Sequence, residues 1–234
     1  MHMSRPVRLA AAASLVTTAA LSIVSLLFEP GFPAEAADRL AAIEEAGTSA
    51  TVSIVSFALA QLPFLAGVVA IALYSLTTAP KTAVAGGILA VLGGFGHAVV
   101  GGIGLSQLTM AASPERAAMA EAVESIEYGP AIPFMAMGLL GTVLGLLLLG
   151  IALFRSRLVP RWIPVALWAF ILVEFVGTSL SEWASPAAGA LYLAAFSGLA
   201  LQLIGPDRAN ASKDAASATA SSVRASIAEG SALP

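Results

Sequence analysis

Apolar residues come along this chain in six long runs, near residues 8–28, 51–76, 83–109, 131–154, 161–181 and 187–205, with short polar stretches between them. An α-helix needs ~20 such residues to cross a bilayer core of ~30 Å. The pattern therefore predicts an all-α fold, a polytopic membrane protein of six transmembrane helices. Two polar stretches between the runs carry a weaker, amphipathic helical pattern. Within 33–46, Pro33 suits a first turn, Leu40 and Ile43 share a face, and Gly47 ends the helix. Within 113–128, Ser113-Pro114-Glu115 reads as N-cap, first-turn proline and an acid favoured by the helix dipole. Met119, Val123 and Ile126 form its apolar stripe, and Gly129-Pro130 stops it.

The first run follows the basic segment from Met1 to Arg8, and Ala34-Glu35-Ala36 resembles a signal-cleavage site. At about twenty residues the run is longer than the ~7–15 of a signal peptide, so it reads as a retained first helix.

Composition agrees with the pattern. The 234 residues are 58% hydrophobic and 11% charged, where soluble domains average about 25% charged. The mean hydropathy is +0.90. One membrane domain over residues 1–206 accounts for nearly all of the chain. Beyond Gly205-Pro206 the composition turns to Ala, Ser and scattered charges, so 207–234 reads as a disordered cytoplasmic tail. Asn210-Ala211-Ser212 matches a glycosylation acceptor but falls on the cytoplasmic side in this reading.

The distribution of charge matters more than its net value of −3. Arg5, Arg8, Lys81, Arg155, Arg157, Arg161, Arg208, Lys213 and Arg224 fall on one side of the six runs, Arg39 and Arg116 on the other. Glu29, Glu35, Asp38, Glu44, Glu45, Glu115, Glu121, Glu124, Glu127 and Glu182 gather with the latter. The positive-inside rule then places both termini in the cytoplasm and the two short amphipathic helices outside the membrane, across the outer mouth of the bundle. Helices one, three and five begin about 75 residues apart, and the first two hairpins share the order helix, amphipathic helix, helix, as parallel repeats in transporters do.

Several chemistries drop out. The chain has no cysteine, which removes disulfides, thiolate catalysis, Cys-ligated zinc and iron–sulfur clusters. It carries no Gly-x-Ser-x-Gly elbow, no His-Glu-x-x-His and no P-loop. With one intramembrane histidine, bis-histidine haem ligation within the chain is excluded, while His–Met ligation stays open. One His with one Glu is too few for a catalytic metal site. No metal or cofactor is implied, and nothing points to nucleic acid.

Two ionisable side chains, His97 and Glu174, lie deep inside apolar runs. A charge near the bilayer centre costs at least ~2.5–3.5 kcal/mol, so such residues face protein or water and often mark function. Helix rise puts each ~20 Å from the cytoplasmic end of its run, with Gln61 ~15 Å from the outer end of its own. His97 shares a face with Gly86, Ala90, Gly93, Gly94, Gly101 and Gly104, small residues that admit a neighbouring helix. Gly138, Gly141 and Gly145 give the fourth run a similar face, and Met135 and Met137 read as core filling. Thr178, Ser181 and Glu182 follow Glu174 at helical spacing as a polar track to the outer surface. Gln61 precedes Pro63, which frees the carbonyl of Leu59 and marks a kinked, cavity-lining helix. The ligand- or proton-binding candidates are thus His97, Glu174, Gln61, Thr178 and Ser181. A His–Glu pair can hold one proton between its members; equally, it can be a structural hydrogen bond that fixes helix register.

The stretch Leu153-Phe154-Arg155-Ser156-Arg157-Leu158-Val159-Pro160-Arg161-Trp162 resembles a motif in uncharacterised six-helix membrane proteins of bacteria, especially actinobacteria. Ala72-Leu73-Tyr74-Ser75-Leu76, closing the second run, is similar too. Physically, arginines hold the turn in the cytoplasm, Pro160 opens a helix and Trp162 anchors it. The resemblance implies six-helix topology and a bacterial inner membrane, adds no chemistry, and carries no site role to His97 or Glu174.

The expected activity is binding or permeation of a small or amphipathic molecule in a polar midplane cavity, with proton coupling through Glu174 and His97. Besides the lipid bilayer, the expected partners are such a ligand and a membrane-protein partner or second copy of the chain. Two rivals stand beside this reading: a non-catalytic partner or sensor subunit packed through its glycine faces, and a membrane redox protein or other enzyme using His97.

Overall fold

The structure, a computed structural model, describes residues 3–181 and 183–205. The chain divides into a unit of Met1–Leu203 and a second from Ile204 onward. The sequence readings for Glu182 and for the tail 207–234 lie outside the described residues.

Among the described residues the fold is all-helical. Six helices are long and apolar enough to cross a membrane: α1 (Arg5–Leu27), α3 (Thr48–Ser75), α4 (Pro80–Ala111), α6 (Ile132–Ser156), the segment Trp162–Ser179, and α8 (Ala184–Ile204). Two short helices, α2 (Ala36–Ala46) and α5 (Arg116–Glu127), join α1 to α3 and α4 to α6. Within Trp162–Ser179, helix α7 runs Trp162–Phe175 and a single 3₁₀ turn covers Gly177–Ser179. The fifth run therefore ends its α-helix earlier than 181. The hydroxyl of Thr178 donates to the Glu174 carbonyl (2.6 Å), taking up an acceptor that the helix end leaves free.

The short helices also start later than their sequence signals. The Pro33 carbonyl accepts from Arg39 Nη1 (3.3 Å), and α2 begins only at Ala36. Ser113 Oγ accepts from the Glu115 amide (3.2 Å), and α5 begins at Arg116. Gly47, with φ +53°, closes α2 and opens α3 in one residue. A positive φ of this kind suits glycine, which has no Cβ to clash.

The spanning helices close into a ring in chain order. α1 packs on α3, α3 on α4, α4 on α6, and α6 on α7. α8 completes it: Gly198 lies against Trp162 and Ile163 of α7, and Gly189 against Ile23 and Leu26 of α1. The most extensive contact is between α4 and α6, and it is a contact of backbones. A Cβ added to Gly141 would fall 2.6 Å from Gly93 N and 2.7 Å from Leu89 O. Gly86, Gly96 and Gly145 abut the facing helix in the same way. Between helices in lipid, where apolar burial alone gives no drive, such approach gains van der Waals contact. Gly94, Gly101 and Gly104 face α3 instead, against Phe64, Ala58 and Ile54. The single glycine face expected around His97 is thus two faces, with His97 in the wedge between α3 and α6.

The apolar core fills the half of the ring nearest the α3–α4 and α6–α7 turns. Leu15, Val68, Ile71, Leu146, Leu149, Leu153, Ile163, Leu167, Phe196 and Leu199 are buried there. A second cluster joins Leu40 and Ile43 of α2, Val123 of α5 and Ile54 of α3 at the opposite end. Met135 is 44% exposed and does not fill the core as expected.

Candidate functional site

Between the two apolar clusters lies a cavity of about 280 Å³ to which all six spanning helices contribute. α1 supplies Thr18, Ser22 and Ser25, α3 supplies Phe57, Gln61 and Phe64, and α4 supplies His97. Thr142 and Leu146 come from α6, Phe170, Glu174 and Phe175 from α7, and Ser185, Gly189 and Tyr192 from α8. Glu29, just past the end of α1, stands on the same wall. Three of the five residues singled out in the sequence, His97, Glu174 and Gln61, are brought together here. Thr178 and Ser181 are not: both are exposed, and the end of α7 at Phe175 turns them off the expected stripe. Ser181 Oγ accepts the Trp183 amide (3.3 Å) in the turn before α8.

The polar groups divide into two sets. Gln61 Nε2 donates to the Phe57 carbonyl of its own helix (2.8 Å). Thr18 Oγ1 donates to the Ala60 carbonyl (3.0 Å) and lies 3.5 Å from the Tyr192 hydroxyl. Its one hydrogen being committed to Ala60, the Thr18 oxygen is the acceptor and Tyr192 the donor. This node ties α1, α3 and α8 together at the floor of the cavity. Aromatic contacts continue below it: Tyr192 packs on Phe170 (centroids 4.8 Å apart) and on Phe196 (4.2 Å), and Phe196 stacks on Phe64 (6.5 Å).

The second set is unengaged. Among the described residues no hydrogen bond or ion pair joins His97 to Glu174, so the pair drawn from the sequence is not a contact. The His97 ring instead stands edge-on to Phe57, centroids 6.0 Å apart, with Nδ1 near Gly138. The charged group that acts on Glu174 is Glu29. Partial burial at the cavity mouth pushes the Glu29 carboxyl above the ordinary carboxylate range. Thr142 is 6% exposed, and its Oγ1 has no hydrogen-bond partner among the described residues.

A second cavity, about 330 Å³, adjoins the first through the shared residues Ser25, Glu29 and Phe57 and lies beneath α2 and α5. Arg39 of α2 grips Glu127 of α5 with both carboxylate oxygens (2.8 and 2.6 Å), and Gln107 Nε2 donates to the same carboxylate (3.1 Å). Arg116 of α5 pairs in turn with Glu44 of α2. The order of these pairs along the two helices makes them antiparallel, a strap of two ion pairs over the mouth of the ring.

Among the described residues no three His, Cys, Asp or Glu side chains gather as metal ligands. Comparisons with protein-family models, with curated proteins and with solved structures found no match to this chain. What fold and composition define is a class: an all-helical protein with the make-up of a multi-pass membrane protein.

Proposed function

We propose that the protein is a ligand-binding protein of a bacterial inner membrane. Both termini face the cytoplasm, and a small amphipathic molecule is held in the cavity reached from the outer face beneath α2 and α5. The observation that carries this reading is a cavity wall combining aromatic rings with polar groups that no protein partner satisfies. If the buried polar residues served only to fix helix register, each would be hydrogen-bonded, as Gln61 and Thr18 are. On the cavity wall Glu174 and His97 make no such bond among the described residues, and ionisable groups at such depth are costly to leave unused.

The partner-subunit rival rests on glycine faces, and the α4 glycines pack against α3 and α6 of the same chain. Binding is favoured over an open pore because the other half of the ring is filled with buried Leu, Ile and Phe side chains. Passage to the cytoplasm would require that core to repack. The orientation rests on the basic residues at the α3–α4 and α6–α7 turns.

Native mass spectrometry of the gently solubilised protein, beside a His97→Ala/Glu174→Gln variant, tests the reading. The expected result is a defined small-molecule adduct in the wild type that the variant lacks. No adduct in either form, with a much less stable variant, would make the buried pair structural and overturn the proposal.

A further inference from the structure

We infer that α2 is a lid over the two cavities, swinging on two glycine joints and latched shut by Arg39 on Glu127. The step rests on the ligand-binding reading for what passes the lid, while the movement itself is a property of the chain.

The segment that carries α2 leaves the ring and returns to it at one place. Ser49 Oγ donates to the Phe28 carbonyl (2.9 Å), tying the start of α3 to the residue that ends α1. Residues 29–48 therefore form a loop with a closed neck. Gly31 (φ +70°) and Gly47 (φ +53°) stand on the two sides of that neck. A Cβ at Gly31 would meet nothing within 4 Å, so neither a side chain nor a neighbour resists rotation there. A lid needs a few such positions to absorb its change in φ and ψ.

The loop is held differently at its two ends. Near Gly47, Glu44 pairs with Arg116 at the start of α5, and Leu40 and Ile43 cluster with Ile54 and Val123. At the other end of α2 the hold is Arg39. Its Nη1 donates to the Pro33 and Ala34 carbonyls of the same loop (3.3 and 3.0 Å). Among the described residues its one link to another element is Nη2 on the Glu127 carboxylate (2.8 and 2.6 Å). Glu127 is fixed in turn by Gln107 of α4, which is 6% exposed. α5 is thus the fixed jaw and α2 the moving one.

The latch is also the roof. Among the described residues α2 and α5 each put one side chain on the wall of the 330 Å³ cavity, and these are Arg39 and Glu127. Parting the pair opens that cavity and, past Ser25, Glu29 and Phe57, the one lined by His97 and Glu174.

Because the chain has no cysteine, one introduced thiol reports the opening. Ser53→Cys places it on the wall beneath the lid, at a residue 2% exposed. The full-length protein in lipid nanodiscs is treated with a charged, water-soluble methanethiosulfonate, and intact mass gives the rate. Ser75→Cys, at a serine with no exposed surface near the other end of α3, controls for loosening of the whole fold. Ser53→Cys should react slowly, and Glu127→Gln, which keeps the size of the side chain, should speed it about tenfold or more. Arg116→Gln, at the hinge end, should change the rate by less than about threefold. Ser75→Cys should stay unreactive throughout. Arg39→Lys carries the same expectation as Glu127→Gln should that variant fail to fold. The lid is overturned if Ser53→Cys never reacts, or reacts as fast as the exposed Ser125→Cys. It is overturned equally if the latch variants leave the rate unchanged, if Arg116→Gln speeds it as much, or if Ser75→Cys reacts as well. Native mass spectrometry judges the ligand reading apart from this. An adduct without a latch effect keeps the site and removes the lid; a latch effect without an adduct does the reverse.

Discussion

Thr18 and Thr142 are both buried threonines on the cavity wall, but they do opposite things for stability. Thr18 donates to the Ala60 carbonyl and receives the Tyr192 hydroxyl, which Ser22 also engages, so Thr18→Val removes two hydrogen bonds and should cost about 0.5–1.5 kcal/mol for each. Thr142→Val removes a hydroxyl with no partner and should leave stability unchanged or raise it. Unfolding midpoints of the two variants in the same detergent decide this; an equal loss in both would give Thr142 a structural role. Glu29 offers a test of sign. Its pKa in the folded protein is raised above 4.5 by burial, so the folded state keeps a proton that the unfolded state has released. Stability from this group is complete below the ordinary value and is lost as pH rises through the raised one. Wild type should therefore lose ground to Glu29→Gln as pH increases, and a constant difference between them would contradict the burial of that carboxyl. The deep residues His97, Glu174 and Gln61 were readable because ionisable and amide groups stand out in apolar runs. Glu29 was not, because it lies just beyond a helix end, where an acid is ordinary. Yet Thr18, Ser22, Ser25 and Glu29 follow at steps of four, three and four along one helical face, a signal present in the sequence.

At the scale of elements, the spanning helices were legible to within a few residues because apolar length leaves little choice. The early end of α7 was less so. Hydropathy runs on through Val176, whereas the helix stops where Gly177 can break it and Thr178 can cap the Glu174 carbonyl. The glycines also carried only half their message: spacing marked α4 as a close-packing helix but not which neighbour each glycine meets. Gly141→Ala brings a methyl onto the backbone of α4 and should destabilise by about 1–3 kcal/mol, since helix backbone cannot yield as a flexible side chain does. Gly102→Ala, with nothing within 4 Å, should be neutral or stabilise by up to about 1 kcal/mol through helix propensity. Reversible unfolding of both variants checks the pair, and similar effects would deny the close approach of α4 and α6. The strap of α2 and α5 invites double-mutant cycles. In Arg39–Glu127 the single nitrogen Nη2 serves both carboxylate oxygens, with side chains 14% and 21% exposed, and the pair should couple by about 1–3 kcal/mol. Arg116–Glu44, at 36% and 50%, should couple by less than about 1 kcal/mol. Equal coupling would mean that burial beneath the strap adds nothing to the Arg39 pair.

For the whole molecule, the direction in which the cavity opens decides what it can meet. The two apolar clusters differ in kind: a close-packed core closes the end bearing the α3–α4 and α6–α7 turns, while a cluster under two short, ion-paired helices covers the other. Basic residues gather at the first end and acids at the second, and in the orientation proposed above, which follows the positive-inside rule, the cavity mouth faces away from the cytoplasm. A ligand would then arrive from outside the cell and find a net negative strap ahead of the carboxyls of the cavity. Because the chain has no cysteine, single introduced thiols report orientation without background. Ser125→Cys, exposed on α5, should react with a membrane-impermeant maleimide in intact cells. Thr78→Cys, exposed between α3 and α4, should react only after permeabilisation. The reverse pattern would turn the mouth toward the cytoplasm and make the ligand an internal metabolite. Reaction of both in intact cells would mean that α4, the one spanning helix between them, does not cross, and the ring would have to be read as something other than six spans.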